Sequence, residues 1–246
     1  MVYYAKKGIF YPPARPRYFI IHVLLFLLTA IFLLWLTTIF GLVFIEIGLS
    51  AHIVFLILIL SLIGSHINIP LFYLRSWRPI IKPKIVRMFF WDFVIPTVDW
   101  EEEKTLIAIN VGGCLIPVIV SAYLMYMLVL KNGFQIVFPI AIAIAIDSLL
   151  INSIARPVEG VGIVTPALLP PLFTVIVAEL FIPFIFTMNI FAFIYIVGTL
   201  SSLIGADILN IKEIPKLGAP VASIGGAGIF DGVFLNGIFA VMFAMI

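Results

Sequence analysis

The chain has 246 residues, of which 64% are hydrophobic and 11% charged, and a formal net charge of +2. A soluble globular domain carries roughly a quarter charged residues, so composition excludes an ordinary soluble fold, and so small a charge, scattered between apolar runs, excludes nucleic acid as a partner. Cys114 is the single cysteine, which excludes an internal disulfide, a CxxC redox pair and a multi-cysteine zinc site.

Crossing a bilayer core of about 30 Å takes a helix of about 20 apolar residues. Uncharged runs of that order recur along the chain, and they lack the polar–apolar alternation of barrel strands. The expected fold is all-α, a polytopic transmembrane helical bundle of seven spans forming one integral membrane domain over 1–246. Lys6, Lys7, Arg15 and Arg17 precede a first run over 19–45, which is too long for the h-region of a cleaved signal and reads as a retained span. The second and third spans are expected over 49–73 and 105–130, and the fourth and fifth over 134–155 and 165–187. The sixth is expected over 188–207 and the seventh over 221–246. With a cytoplasmic N-terminus, Lys131 is the only one of the 14 Lys and Arg residues left outside, as the positive-inside bias requires. The expected location is the cell membrane.

Between the second and third spans, 74–104 mixes Arg75, Arg78, Lys82, Lys84, Arg87 and Lys104 with Trp77, Phe89, Phe90, Trp91 and Trp100. Such a mixture suits the headgroup layer, so the segment is read as a cytoplasmic interfacial loop. Asp99 with Glu102 three residues later predicts a helix start that opens the third span. Glu101 to Glu103 then compensate the helix dipole.

An ionisable side chain inside a span costs a few kcal/mol or more and usually faces the bundle interior, where it serves function. Asp147, Glu179, Asp207 and Asp231 qualify. Asp207 closes the sixth span and Asp231 follows the glycine-rich opening of the seventh, so with Asp147 three carboxylates can share the cytoplasmic half. Gly228 and Gly232 form a GxxxG pair, readable as close helix packing or as backbone opened beside an acid. Ala155-Arg156-Pro157 begins a proline- and glycine-rich connection, in which Arg156 can pair with Asp147 or Asp231 or bind a phosphate. His22, His52 and His66 lack metal-ligand spacing and read as packing.

The stretches Gly205-Ala206-Asp207-Ile208-Leu209-Asn210 and Ser223 to Gly237, with Ala155-Arg156-Pro157 and Gly160-Val161-Gly162, resemble domain-of-unknown-function family 1614, a group of multi-pass membrane proteins. That resemblance brings no chemistry with it. A more distant likeness is to the GxGD intramembrane aspartyl proteases, in which an aspartate of one helix faces another at the glycine-rich start of a later one. It implies Asp207 and Asp231 as a catalytic pair, although Gly226-Ala227-Gly228 stands two residues before Asp231 and no GxGD occurs.

Three functions compete. Asp207 and Asp231 can share a proton and cleave a membrane peptide. The acids can instead bind a proton or small ion along a transport path, with Asp147, Arg156, Gly228 and Gly232 as binding residues. Thirdly, Asp207 and Asp231 can hold a divalent cation, with Arg156 on a lipid phosphate. The expected partners are the bilayer and a membrane peptide or small ion, with no cofactor and no resident metal. Oligomeric state is not readable from the sequence.

Overall fold

The computed structural model describes residues 16–88, 91–158, 162–184, 189–214, 219–226 and 232–246. The chain divides into two compact units, 1–40 and 41–246. The first holds most of helix α1 (Pro16–Glu46), which carries no acidic residue in its first turn and no basic residue in its last. Its side chains from Val23 to Leu28 are apolar and exposed, apart from Thr29 that follows them, whose hydroxyl is returned to the Leu25 carbonyl at 2.8 Å. A helix apolar all round is suited to lipid rather than water.

The second unit continues with α2 (Ala51–Gly64), strands β1 (Asn68–Met88) and β2 (Trp91–Asn110), α3 (Ile116–Asn132) and α4 (Val137–Ile154). It then runs through β3 (Arg156–Val158), β4 (Gly162–Val164), α5 (Leu169–Phe181), α6 (Ile190–Ser202), β5 (Val221–Ile224) and α7 (Gly232–Ala244). The fold is mostly helical. Among the described residues, four helical stretches are long and apolar enough to cross a membrane: 23–46, 111–132, 134–154 and 190–208. Three shorter apolar helices, 51–64, 169–184 and 232–244, accompany them.

From α2 onward, successive helices alternate between two ends of the bundle. At one end Asn189 caps α6, accepting from the Ala192 amide, and its Nδ2 donates to the carbonyls of Glu46 at 3.1 Å and Ile47 at 2.9 Å. At the other end Ile107, Cys114, Ile214 and Ile224 form a small core with Leu203 and Ile163. Between the ends, Phe44 packs on Tyr195 and Phe234 with ring centroids 5.5 and 6.3 Å apart.

The fold is not all-α. The second expected span stops at Gly64, and β1 and β2 pair as one antiparallel hairpin with a bulge between Pro70 and Phe72. At about 3.3 Å per residue each strand is roughly 65 Å long. The hairpin forms because β-branched and aromatic residues recur through both strands and because β1 is basic where β2 is acidic. Arg75 pairs with Glu102 at 3.3 Å, Lys82 with Asp99 at 3.5 Å and Arg87 with Asp92 at 2.7 Å. Asp92 raises the Arg87 pKa above its ordinary value. Pro83 lies opposite Pro96, a pairing possible only where both backbone nitrogens point away from the ladder.

Asp99 and Glu102 therefore lie within β2 and do not open a helix. The third helical stretch begins after Asn110, which accepts from the Gly113 amide at 2.8 Å and donates to the Ser65 carbonyl at 2.7 Å. The seventh expected span likewise opens as a strand, since β5 joins β2 in parallel with Leu106 opposite Val221. The segment 74–104, read as a loop, is the outer part of the hairpin apart from residues 89 and 90, which lie outside the described residues.

Candidate functional site

Asp147 lies in α4 about 10 Å from that helix's C-terminal end, at 1.5 Å per residue, and its surface is 0% accessible. Its neighbours come from three other helices. Thr174 of α5 donates to Asp147 Oδ2 at 2.7 Å, and Asn236 of α7 approaches the same hydroxyl at 3.5 Å while donating to the Gly198 carbonyl of α6 at 2.7 Å. Ser201 of α6 also lies beside the carboxyl, with its hydroxyl donated to the Val197 carbonyl at 2.5 Å. Asp147 Oδ1 and Asn236 Oδ1 are buried with no hydrogen-bond partner. A buried polar atom left unpaired costs about 1–3 kcal/mol, and here two oxygen acceptors carry that cost within one cluster.

The sequence permits this convergence through small residues. Helices α6 and α7 cross at Gly198 and Gly237, where a Cβ on Gly198 would sit 3.3 Å from the Gly237 Cα and one on Gly237 would collide with the Thr199 hydroxyl. Beyond α6 the chain continues as a π-helical turn, Leu203–Ile208. A Cβ on Gly205 would run into the Ser148 carbonyl of α4, so glycine is what lets the turn press against that helix. The Gly205 carbonyl, freed from regular helical pairing, accepts from Asn152 at 3.0 Å and Asn210 at 3.1 Å. Single-turn π segments of this kind concentrate at functional sites.

The π turn also forms one wall of a cavity of about 350 Å³. Thr165, Ser202, Asp207 and Asn236 supply its polar lining, and Pro170, Pro171 and Phe239 part of its apolar lining. Asn236 belongs to both cavity and cluster, so a polar chain runs from the cavity through Asn236 and Thr174 to the Asp147 carboxyl.

Of the residues singled out in the sequence, Asp147 is sealed in the bundle and Asp207 is half-buried on the cavity wall. Gly232 lines that cavity too; a Cβ there would meet nothing within 4 Å, while its carbonyl accepts from the Ser202 hydroxyl of α6 at 3.4 Å. Asp231 and Gly228 lie outside the described residues. Arg156 is exposed on β3 whereas Asp147 is sealed, so these two form no ion pair. Glu179 is exposed on α5. Among the described residues no group of three or more His, Cys, Asp and Glu could hold a metal ion.

Sequence reading missed Thr174, Ser201 and Asn236. The available signal was the helical spacing of polar residues in otherwise apolar runs, which a search confined to ionisable groups passes over. A family model described as "Protein of unknown function (DUF1614)" matches residues 62–243. No curated protein and no solved structure matches.

Proposed function

The chain belongs to the DUF1614 family of proteins of unknown function, and from its site we propose that it is an integral membrane protein that moves a proton or a small monovalent cation, with Asp147 as the carrying carboxyl. One observation supports this reading above all: a fully buried carboxyl with one oxygen held by Thr174 and the other without a partner. An isolated carboxylate in a low-dielectric interior is costly unless it is neutralised or paired. Among the described residues no Lys or Arg side chain is paired with it, and a proton or a bound cation supplies the compensation. A single carboxylate balances one positive charge, which favours a proton or monovalent ion over a divalent one. Asn236 Oδ1, in the same cluster, is a second buried oxygen without a partner, and oxygens of this kind are what hard cations bind.

In this reading the cavity is the vestibule on the side where the hairpin base, Arg156 and Lys212 lie. That side is cytoplasmic by the positive-inside bias, which puts the N-terminus in the cytoplasm if all seven helices cross. The hairpin's outer part, including 74–104, then belongs to the cytoplasmic face. Access from the opposite side requires α6 and α7 to shift about their glycine crossing, with the π turn absorbing the change. The test is reconstitution in liposomes with proton and alkali-cation flux followed by internal dyes. Asp147→Asn abolishes flux and Asn236→Leu slows it, whereas equal flux in wild type and Asp147→Asn would reject the proposal.

A second reading has one observation in its favour: Asp207 and Gly232, the neighbour of Asp231, line the same cavity. It makes the cavity the cleft of an aspartyl protease acting on a membrane peptide. Cleavage of membrane peptides lost in Asp207→Asn and kept in Asp147→Asn would favour it over transport.

A further inference from the structure

A second cavity, of about 130 Å³, lies at the end of the bundle where Asn189 caps α6, and Ile47, Tyr123, Met127, Lys131 and Ala192 line part of it. One stripe of α6 joins this outer cavity to the larger one. Ala192, Tyr195, Thr199 and Ser202 follow one another at three- and four-residue steps, so they share a face of the helix. Ala192 lines the outer cavity and Ser202 the larger one, a separation of about 15 Å at 1.5 Å per residue. Tyr195 and Thr199 occupy the interval, and both are fully buried.

The two hydroxyls of this interval lack the partners such groups usually take. Thr174 and Ser201 each donate to the carbonyl four residues back, at 3.1 and 2.5 Å, as hydroxyls within helices commonly do. Thr199 Oγ1 makes no such bond and faces Gly237 of α7, while the Tyr195 hydroxyl lies beside it at no geometry that bonds the two. A buried tyrosine hydroxyl ordinarily has a partner, and phenylalanine would fill this place without an unpaired atom. Asn236 donates to the carbonyl of Gly198, the residue before Thr199, at 2.7 Å. The polar chain that ends on Asp147 therefore has a branch along α6 toward the outer cavity.

The Tyr195 ring closes that branch. It packs on Phe44 with centroids 5.5 Å apart, and a Cβ on Gly237 would stand 3.1 Å from its Cδ2 and Cε2. The ring and Phe44 each lie one turn from a residue of the outer cavity, since Ala192 precedes Tyr195 by three positions and Ile47 follows Phe44 by three. Alanine at 237 would crowd both the ring and the Thr199 hydroxyl. Glycine leaves that edge of the ring room to turn when α6 and α7 shift.

We propose that Tyr195 is the barrier between the Asp147 cluster and the outer cavity, and that this cavity is the vestibule on the side of the membrane opposite the first. The role rests on the transport reading, but the route and its barrier can be tested without flux. The full chain carrying Cys114→Ala and one introduced cysteine is treated in right-side-out membrane vesicles with a membrane-impermeant thiosulfonate added outside. Met127→Cys in the outer cavity should react, and Thr199→Cys beneath the ring should react at least tenfold more slowly, a comparison that leaves Tyr195 untouched. Adding Tyr195→Ala should speed the reaction at Thr199→Cys at least tenfold. Tyr195→Leu, which removes less volume, should act in the same direction, and Tyr195→Phe, which keeps the ring, should leave the reaction slow. Thr199→Cys as fast as Met127→Cys with Tyr195 in place, no reaction at Met127→Cys, or a rate at Thr199→Cys unmoved by Tyr195→Ala and Tyr195→Leu would overturn the proposal. Flux unchanged in Asp147→Asn alongside the expected labelling would reject transport and keep the barrier, so the two failures are distinct.

Discussion

Thr174→Val isolates the contact on which the buried cluster depends. The substitution keeps the side chain's shape and deletes the hydroxyl that donates to Asp147 Oδ2 at 2.7 Å, so Oδ2 loses that donor while the packing around α5 stays filled. A hydrogen bond to a charged group contributes about 1.5–3 kcal/mol in soluble proteins. Side-chain hydrogen bonds within membranes average about 0.6 and reach about 1.7 kcal/mol. Full burial of both partners favours the upper part of the membrane range, so the expected coupling is about 1.5 kcal/mol. A double-mutant cycle measures it: reversible unfolding in bicelles of wild type, Thr174→Val, Asp147→Ala and the double variant, in which the cavity left by alanine cancels. Independent sites add within about 0.3–0.5 kcal/mol. Additivity that close would refute the claim that Thr174 holds the carboxyl.

Gly205→Ala drives a methyl into the Ser148 carbonyl, and overpacking of this kind costs about 1–3 kcal/mol; the same unfolding assay should show it, with a smaller effect for Gly232→Ala, whose Cβ meets open space. Asn110→Ala removes the cap on the Gly113 amide and the bond to the Ser65 carbonyl. A lost cap costs about 1 kcal/mol, and hydrogen exchange should reveal it as faster exchange at Gly113 and around the hairpin base.

The apolar runs made the helical character of the chain legible, because length and lack of charge are local properties that a bilayer imposes directly. The first, fourth and sixth expected spans end within a few residues of the helices formed. The hairpin was hidden because its cause is not local. Asp99 and Glu102 look like a helix start when read along the chain, and only the opposed register, with Lys82 and Arg75 brought across from β1, makes them rungs of a ladder. Asp147 was legible as a charge in an apolar run, yet its partners were not. Thr174, Ser201 and Asn236 are ordinary membrane-helix residues until three separate helices place them around one carboxyl. Gly232 illustrates how little a spacing alone decides: with Gly228 it is readable as close packing or as backbone opened beside an acid, Gly228 lies outside the described residues, and the close α6–α7 contact that is described falls at Gly198 and Gly237.

The central claim is that Asp147 itself gains and releases the carried proton or cation. Infrared difference spectroscopy of the protein reconstituted in lipid, recorded across steps of pH and of alkali-cation concentration, observes that group directly. The account predicts a carboxyl or carboxylate band that changes with one of these steps, shifts in Thr174→Val and is missing in Asp147→Asn. The same difference spectrum from wild type and Asp147→Asn would contradict it.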